Sequence, residues 1–208
     1  MNLNRRWDGI WRSLHVASPP ELIFQSLVQA YTHPQRAYHS LDHVRDCLEQ
    51  LDWSQAFAEH PIEVELGLWF HDVVYDTHAS DNEAQSGARA MTALQNNGVA
   101  PDVTARVGQL ILATRHQAAA ASGDAGLIVD IDLSILGRDP EEFDRYEANI
   151  RREYQWVSEA DFRVARVQIL ETFLRRASVF QTPAFQGRYE EQARANLSRS
   201  IRVLRAGE

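Results

Sequence analysis

Lysine is absent from this chain of 208 residues, so all 21 basic residues are arginine. Any side-chain cation that grips an anion must therefore be an Arg or a protonated His. Cysteine is nearly absent too. The single Cys47 excludes an internal disulfide framework and the multi-cysteine zinc sites. Its place in an apolar helical pattern predicts a small core residue rather than a nucleophile. No apolar run reaches membrane-spanning length, and the start, Asn4-Arg5-Arg6-Trp7-Asp8, lacks the apolar stretch of a signal peptide. The expectation is a cytoplasmic protein with no membrane partner.

Positive charge is in deficit, with 29 acids against 21 arginines and a formal net charge of -8. Such a surface repels nucleic-acid phosphates, which argues against DNA or RNA as a partner. A small anionic substrate stays open, because a metal ion and a few arginines can reverse the local field. Hydrophobic residues make up 44% and charged residues 24%, which suits a folded core rather than disorder. The length suits one domain spanning residues 1–208.

Apolar residues recur at helical spacing almost throughout. Helices are expected at 21–31, 40–51, 62–75, 81–96, 102–115, 124–136, 140–154, 159–179 and 188–205. Pro19-Pro20, Asn97-Gly98, Pro101, Ser122-Gly123, Gly137, Pro140, Pro183 and Gly187 punctuate them. Ser40 is the expected N-cap of the second helix, with His43 at its third position. The stretch Val64, Leu66, Leu68, Trp69, Phe70 is apolar on most faces, the mark of a central buried helix. Ile128 to Leu133 has strand-like composition, but no partner strand exists elsewhere, so it too reads as helix. Ala118 to Ala121 reads as a short loop or frayed helix end. An all-α bundle of roughly eight to ten helices follows.

Within this apolar framework some polar residues are out of place. His39 and His43 are four apart and share one helix face. His71 and Asp72 end the most buried helix, and Asp130 and Asp132 fall within an apolar stretch. A buried carboxylate costs several kcal/mol unless paired. With no lysine to neutralise them, a shared divalent cation is the economical solution. Helical geometry separates Asp130 from Asp132 by about 200°, so both cannot easily face one centre.

The ordered pattern of a His, a His-Asp pair and a distant Asp resembles the HD superfamily of metal-dependent phosphohydrolases. It is carried by His43 in Tyr38-His39-Ser40-Leu41-Asp42-His43, by His71-Asp72 in Trp69-Phe70-His71-Asp72-Val73-Val74-Tyr75-Asp76, and by Asp132 in Asp130-Ile131-Asp132-Leu133. The chain is most similar to a group of predicted HD-superfamily phosphohydrolases that share Arg-x-Tyr-His-x-x-x-His, His-Asp-x-x-Tyr-Asp, Asp-Asn-Glu and Asp-x-Asp-Leu. The resemblance implies an HD-type helical domain, with a metal-binding core over about 36–136 and helices over 140–205 completing it. It implies His43, His71, Asp72 and Asp132 as metal ligands, choosing Asp132 over Asp130.

Two imidazoles and two carboxylates form a mixed N/O set suited to Mn, Fe, Co, Ni or Zn, with Mg also compatible. Alarmone hydrolases of the superfamily carry His-Asp-x-x-Glu-Asp, whereas here Tyr75 replaces the glutamate and Asp76 keeps the acid. Asp76 is a candidate general acid/base. Glu83, in Asp81-Asn82-Glu83, is a second candidate or a helix cap. Phosphate contacts are expected from Arg36 and from His39 or His116. His116 could instead join His39 at a second metal or cap its helix. His78 reads as a solvated loop residue.

The expected activity is hydrolysis of a small phosphorylated molecule, most of all a nucleotide, by metal-activated water. The alternatives are a non-catalytic metal- or nucleotide-binding regulatory module and a di-iron oxygenase. The amphipathic last helix packs on its own domain or on a second copy of the chain as a homodimer.

Overall fold

The computed structural model of the chain describes residues 1–16, 19–116 and 122–207. These residues form ten α-helices and no strand, so the fold is the expected all-α one. Ile128 to Leu133 is helical as expected, while the Ala118–Ala121 run lies outside the described residues. The chain divides into two compact units, Met1–Val129 and Asp130–Glu208. Among the described residues no helix is long and apolar enough to cross a membrane.

The first unit opens with a helix the periodicity reading did not anticipate, α1 (Leu3–Ser13), whose N-cap Asn2 accepts from the Arg5 N–H. Interleaved charges masked its inner face, where Leu3, Trp7, Ile10 and Trp11 are buried at helical spacing. Helix α2 (Glu21–Tyr31) follows Pro19-Pro20. Helix α3 (Leu41–Ser54) starts on Ser40, whose hydroxyl accepts from the Asp42 N–H, leaving His43 third in the helix. Helix α4 (Pro61–Phe70) buries every residue from Glu63 onward. Trp7 meets Trp11 at 5.4 Å and Trp69 at 5.6 Å, and Phe24 meets Trp69 at 5.9 Å. Each such aromatic pair adds roughly 0.5–1.5 kcal/mol beyond area burial.

Two glutamates inside α4 would be prohibitive if unpaired. The Arg106 guanidinium grips both oxygens of Glu63 at 2.7 Å. Arg6 likewise grips Glu65, at 2.6 and 3.3 Å. Burial still holds the Glu65 carboxyl above its ordinary value, against the pull of Arg6. These forks tie α4 to α1 and to α6 (Pro101–Ala113). Helix α5 (Asn82–Asn96) pairs with α6 through the Asn97-Gly98 turn, where Gly98 takes a φ of 76° open to glycine. Helix α7 (Gly123–Asp132) approaches α4 so closely that a Cβ on Gly67 would lie 2.6 Å from Ile128 Cδ1. At its start, the Asp124 carboxylate accepts from the Glu59 and His60 N–H groups at 2.7 and 2.8 Å, covering the open end of α4.

The division between the units falls within α7. In the second unit a 3-10 turn (Leu133–Gly137) leads to α8 (Pro140–Glu153), α9 (Glu159–Leu174) and α10 (Pro183–Ala206). The helix expected over 124–136 thus tightens into 3-10 form after Asp132, and the one expected over 159–179 stops at Leu174. The last helix begins at Pro183, not 188, because proline is tolerated in a first turn and the Thr182 hydroxyl caps it. Asn196 holds the 3-10 turn by donating to the Leu136 and Arg138 carbonyls at 2.9 and 2.8 Å. Buried Arg166 bonds Glu147 and the Tyr146 hydroxyl.

Asp130, fully buried, accepts from the Gln181 and Thr182 N–H groups at 2.6 and 2.7 Å. Its carboxylate anchors the lead-in to α10. Replacing Asp130 with Ala removes the side-chain acceptor of these two N–H groups and should lower unfolding free energy by about 1–3 kcal/mol in urea titration. Asp130→Asn, which keeps one acceptor oxygen, should cost less; equal stability of the alanine variant and the parent would refute this role.

Candidate metal centre

Helix α4 ends sooner than the apolar run suggests. The expected span of 62–75 stops at Phe70, and His71 forms the C-cap. Ending there turns the His71 ring back against its own helix, with Nδ1 2.9 Å from the Leu68 carbonyl. That carbonyl can only accept, so the ring proton belongs on Nδ1 and the Nε2 lone pair faces outward. His43, reaching in from α3, sets its Nε2 3.2 Å from His71 Nε2. Asp72 Oδ2 lies 3.1 Å from His71 Nε2 and 3.9 Å from His43 Nε2. His71 and His43 are buried, and the Asp72 side chain keeps 15% exposure.

These separations fit a shared cation. Two donors each about 2.1 Å from one ion, at roughly 90–110°, lie about 3.0–3.4 Å apart. Two of the three separations match, and the third, from His43 Nε2 to Asp72 Oδ2, is longer at 3.9 Å. Two neutral Nε2 atoms at 3.2 Å otherwise need a proton shared between them. The donor set is of mixed N/O character, as the sequence suggests.

Cys47, one turn after His43, belongs to the same group of donors: its sulfur and the two imidazoles offer ligand atoms within 4.8 Å of one another. The i,i+4 spacing from His43 was the available signal, outweighed by the residue's apolar surroundings. The sulfur is 3.7 Å from His43 Nε2 and 3.8 Å from Nδ1. Near-equal distances place it beside the ring rather than ahead of the Nε2 lone pair, so it packs on His43 in this arrangement.

The backbone around Asp72 is clamped. Its N–H donates to the Tyr31 hydroxyl at 3.3 Å, and that hydroxyl donates to the Trp69 carbonyl at 3.1 Å. Burial, and then the Asp72 charge, push the Tyr31 hydroxyl well above its usual pKa, so it stays a neutral donor. Arg36, expected to contact phosphate, spends its guanidinium on backbone: the Asp72 carbonyl at 2.6 Å and the Val73 and His39 carbonyls at 3.1 Å each. Rings of Tyr31 and Tyr75 lie 5.0 and 5.5 Å from its charged carbon.

The loop beyond is also pinned. Ser86 accepts from the Val74 N–H and donates to the Val74 carbonyl. Asn82 of the Asp-Asn-Glu motif accepts from the Asp76 N–H at 3.1 Å and donates to the Asp76 carbonyl at 2.9 Å. Asp76 itself is exposed. Its Oδ1 takes the His78 N–H at 2.9 Å and lies 3.1 Å from His78 Nδ1. Those contacts hold the Asp76 carboxyl below its usual value, which favours a base over an acid at neutral pH. His78, read as a solvated loop residue, is thus the partner of Asp76. Glu83 faces Arg115 at 3.8 Å, and Arg115 also donates to the Ser80 carbonyl. His39 stacks on Tyr75 at 4.1 Å and lies 6.0 Å from the His43 ring. His116, half-buried, follows α6 with a φ of 55°.

Asp132 is the last residue of α7 and half-buried, and it belongs to the second unit, where its charge is felt by Tyr146 of α8. Asp130 accepts from the backbone N–H groups of residues 181 and 182.

Asn82→Ala should free the Asp76 peptide. Amide exchange at Asp76 is expected to accelerate about tenfold or more, the loss of roughly one local hydrogen-bonded closure, while exchange at His43 is unchanged. Unaltered protection at Asp76 would show that Asn82 does not hold the loop.

Compared with known proteins, the chain matches no protein-family model, no curated protein and no solved structure.

Proposed function

We propose that the protein is a metal-dependent phosphohydrolase acting on a small phosphorylated molecule, most of all a nucleotide. The observation that carries this reading is the convergence of His43 Nε2, His71 Nε2 and Asp72 Oδ2 at 3.1–3.9 Å. Divalent cations from Mn to Zn, or Mg, suit such a set. When bound, the ion supplies Lewis acidity, which makes water nucleophilic at neutral pH and draws charge from a phosphoryl group.

The chain's own residues divide the remaining work. His71, with its proton kept on Nδ1 by Leu68, offers a neutral nitrogen donor. Asp72 contributes negative charge at a partly open position. Asp132 is the proposed further ligand. Its support is the order of the motif, a His, a His-Asp pair and a distant Asp. Asp76, kept ionised by His78, is the proposed general base, and the pair stands where solvent and substrate can reach it. Glu83 is the second candidate, and its partner Arg115 offers a cation for phosphate in place of the committed Arg36. His39 and His116 remain the proposed imidazole contacts to phosphate.

The test is turnover of nucleoside mono-, di- and triphosphates and alarmones with Mn, Co, Ni and Mg. Metal-dependent release of phosphate or pyrophosphate is expected, falling by about 100-fold or more, the equivalent of roughly 2.7 kcal/mol, in His71→Ala, Asp72→Ala and Asp132→Ala together with metal content. Asp76→Asn should lower kcat while metal stays bound. Stoichiometric metal without release from any substrate would overturn the hydrolase reading in favour of a binding module.

A further inference from the structure

We infer that Arg36 is a positioning residue of the metal centre, holding its two ligand-bearing segments in register, rather than a phosphate contact. This rests on the metal-centre reading above and adds to it the part that builds the site. His43 and the His71-Asp72 pair come from segments 28 residues apart in the chain, and no helix contains both. Arg36 bridges them. One Nη1 donates to the His39 carbonyl, just before α3, and to the Asp72 carbonyl, just after α4, at 3.1 and 2.6 Å. Nη2 donates to the Val73 carbonyl at 3.1 Å.

Chemistry favours arginine for this task. Carbonyls beyond the last turn of a helix have no intrahelical donor, and a planar guanidinium can serve several of them at fixed angles. The flanking rings of Tyr31 and Tyr75 fix its plane and favour its charge. Asp72 is consequently held on both sides of its Cα, the preceding peptide through its N–H on Tyr31 and the following peptide through its carbonyl on Arg36. Those two peptide planes set the Cα–Cβ direction at Asp72, from which its carboxylate reaches within 3.1 Å of His71. A guanidinium holding three carbonyls has little left with which to grip phosphate.

Cobalt titration of the intact protein, followed by visible spectroscopy, separates the two roles. Arg36→Gln should weaken Co2+ binding by about 10–100-fold, the range usual for groups that orient ligands, and shift the d–d bands of what binds. Arg36→Lys should recover part of that affinity. Tyr31→Phe, which removes the acceptor of the preceding peptide N–H while keeping the ring, should weaken Co2+ in the same direction. It keeps the test decisive if Arg36→Gln fails to fold by circular dichroism. Inorganic phosphate should bind the Co2+-loaded variants as it binds the loaded parent. The inference is overturned if the variants fold, take up Co2+ with parental affinity and spectrum, and lose only phosphate. A parent that binds no divalent ion would instead sink the metal-centre reading on which the inference stands.

Discussion

Two buried imidazole nitrogens and a carboxylate oxygen brought within 3.1–3.9 Å of one another are the constraint on which the first unit's architecture turns. Donor atoms of this kind lose their water on burial and must be compensated by a proton or a cation. The surrounding structure is built to keep them in place rather than to let them relax apart. His71 is tethered to Leu68, Asp72 to Tyr31 and Arg36, and the base of α4 to Asp124. Helix α4, which leads directly into the His-Asp pair, is buried from Glu63 to Phe70 and tied by arginine forks on Glu63 and Glu65. A rigid, buried helix is a good place from which to aim metal ligands, since loops hold such geometry less well.

Arginine does the work that a mixed basic complement shares in other chains. Arg6 and Arg106 neutralise buried glutamates, Arg36 satisfies helix-end carbonyls, and Arg166 pairs with Glu147 inside the second unit. Each uses the planar fork of the guanidinium, which lysine could not reproduce. Partly exposed Arg115 lies 3.8 Å from Glu83 and donates to the Ser80 carbonyl at 3.4 Å.

Much of this was legible in the sequence. The 3.6-residue rhythm located nine helices to within a few residues, and residues out of character with their apolar surroundings, His43, His71 and Asp72, mark the site. Helix ends were less legible, because they depend on tertiary partners: α4 stops where Arg36 and Tyr31 take its following peptides, which no local pattern encodes. Helix α1 escaped notice because charges interrupt its apolar stripe. The backbone contacts of Arg36 were not legible for a related reason, since an arginine that bonds backbone and one that binds phosphate look alike in one dimension. The Asn82 clamp and the His78 partner of Asp76 both depend on a loop conformation that spacing does not reveal.

The central claim is that these converging donors are a cation site. Anomalous diffraction from crystals grown with Mn2+ or Co2+ tests it most directly. The account predicts a peak about 2.0–2.2 Å from His43 Nε2, His71 Nε2 and an Asp72 carboxylate oxygen. Electron density at saturating metal with no anomalous peak among those three side chains would contradict it.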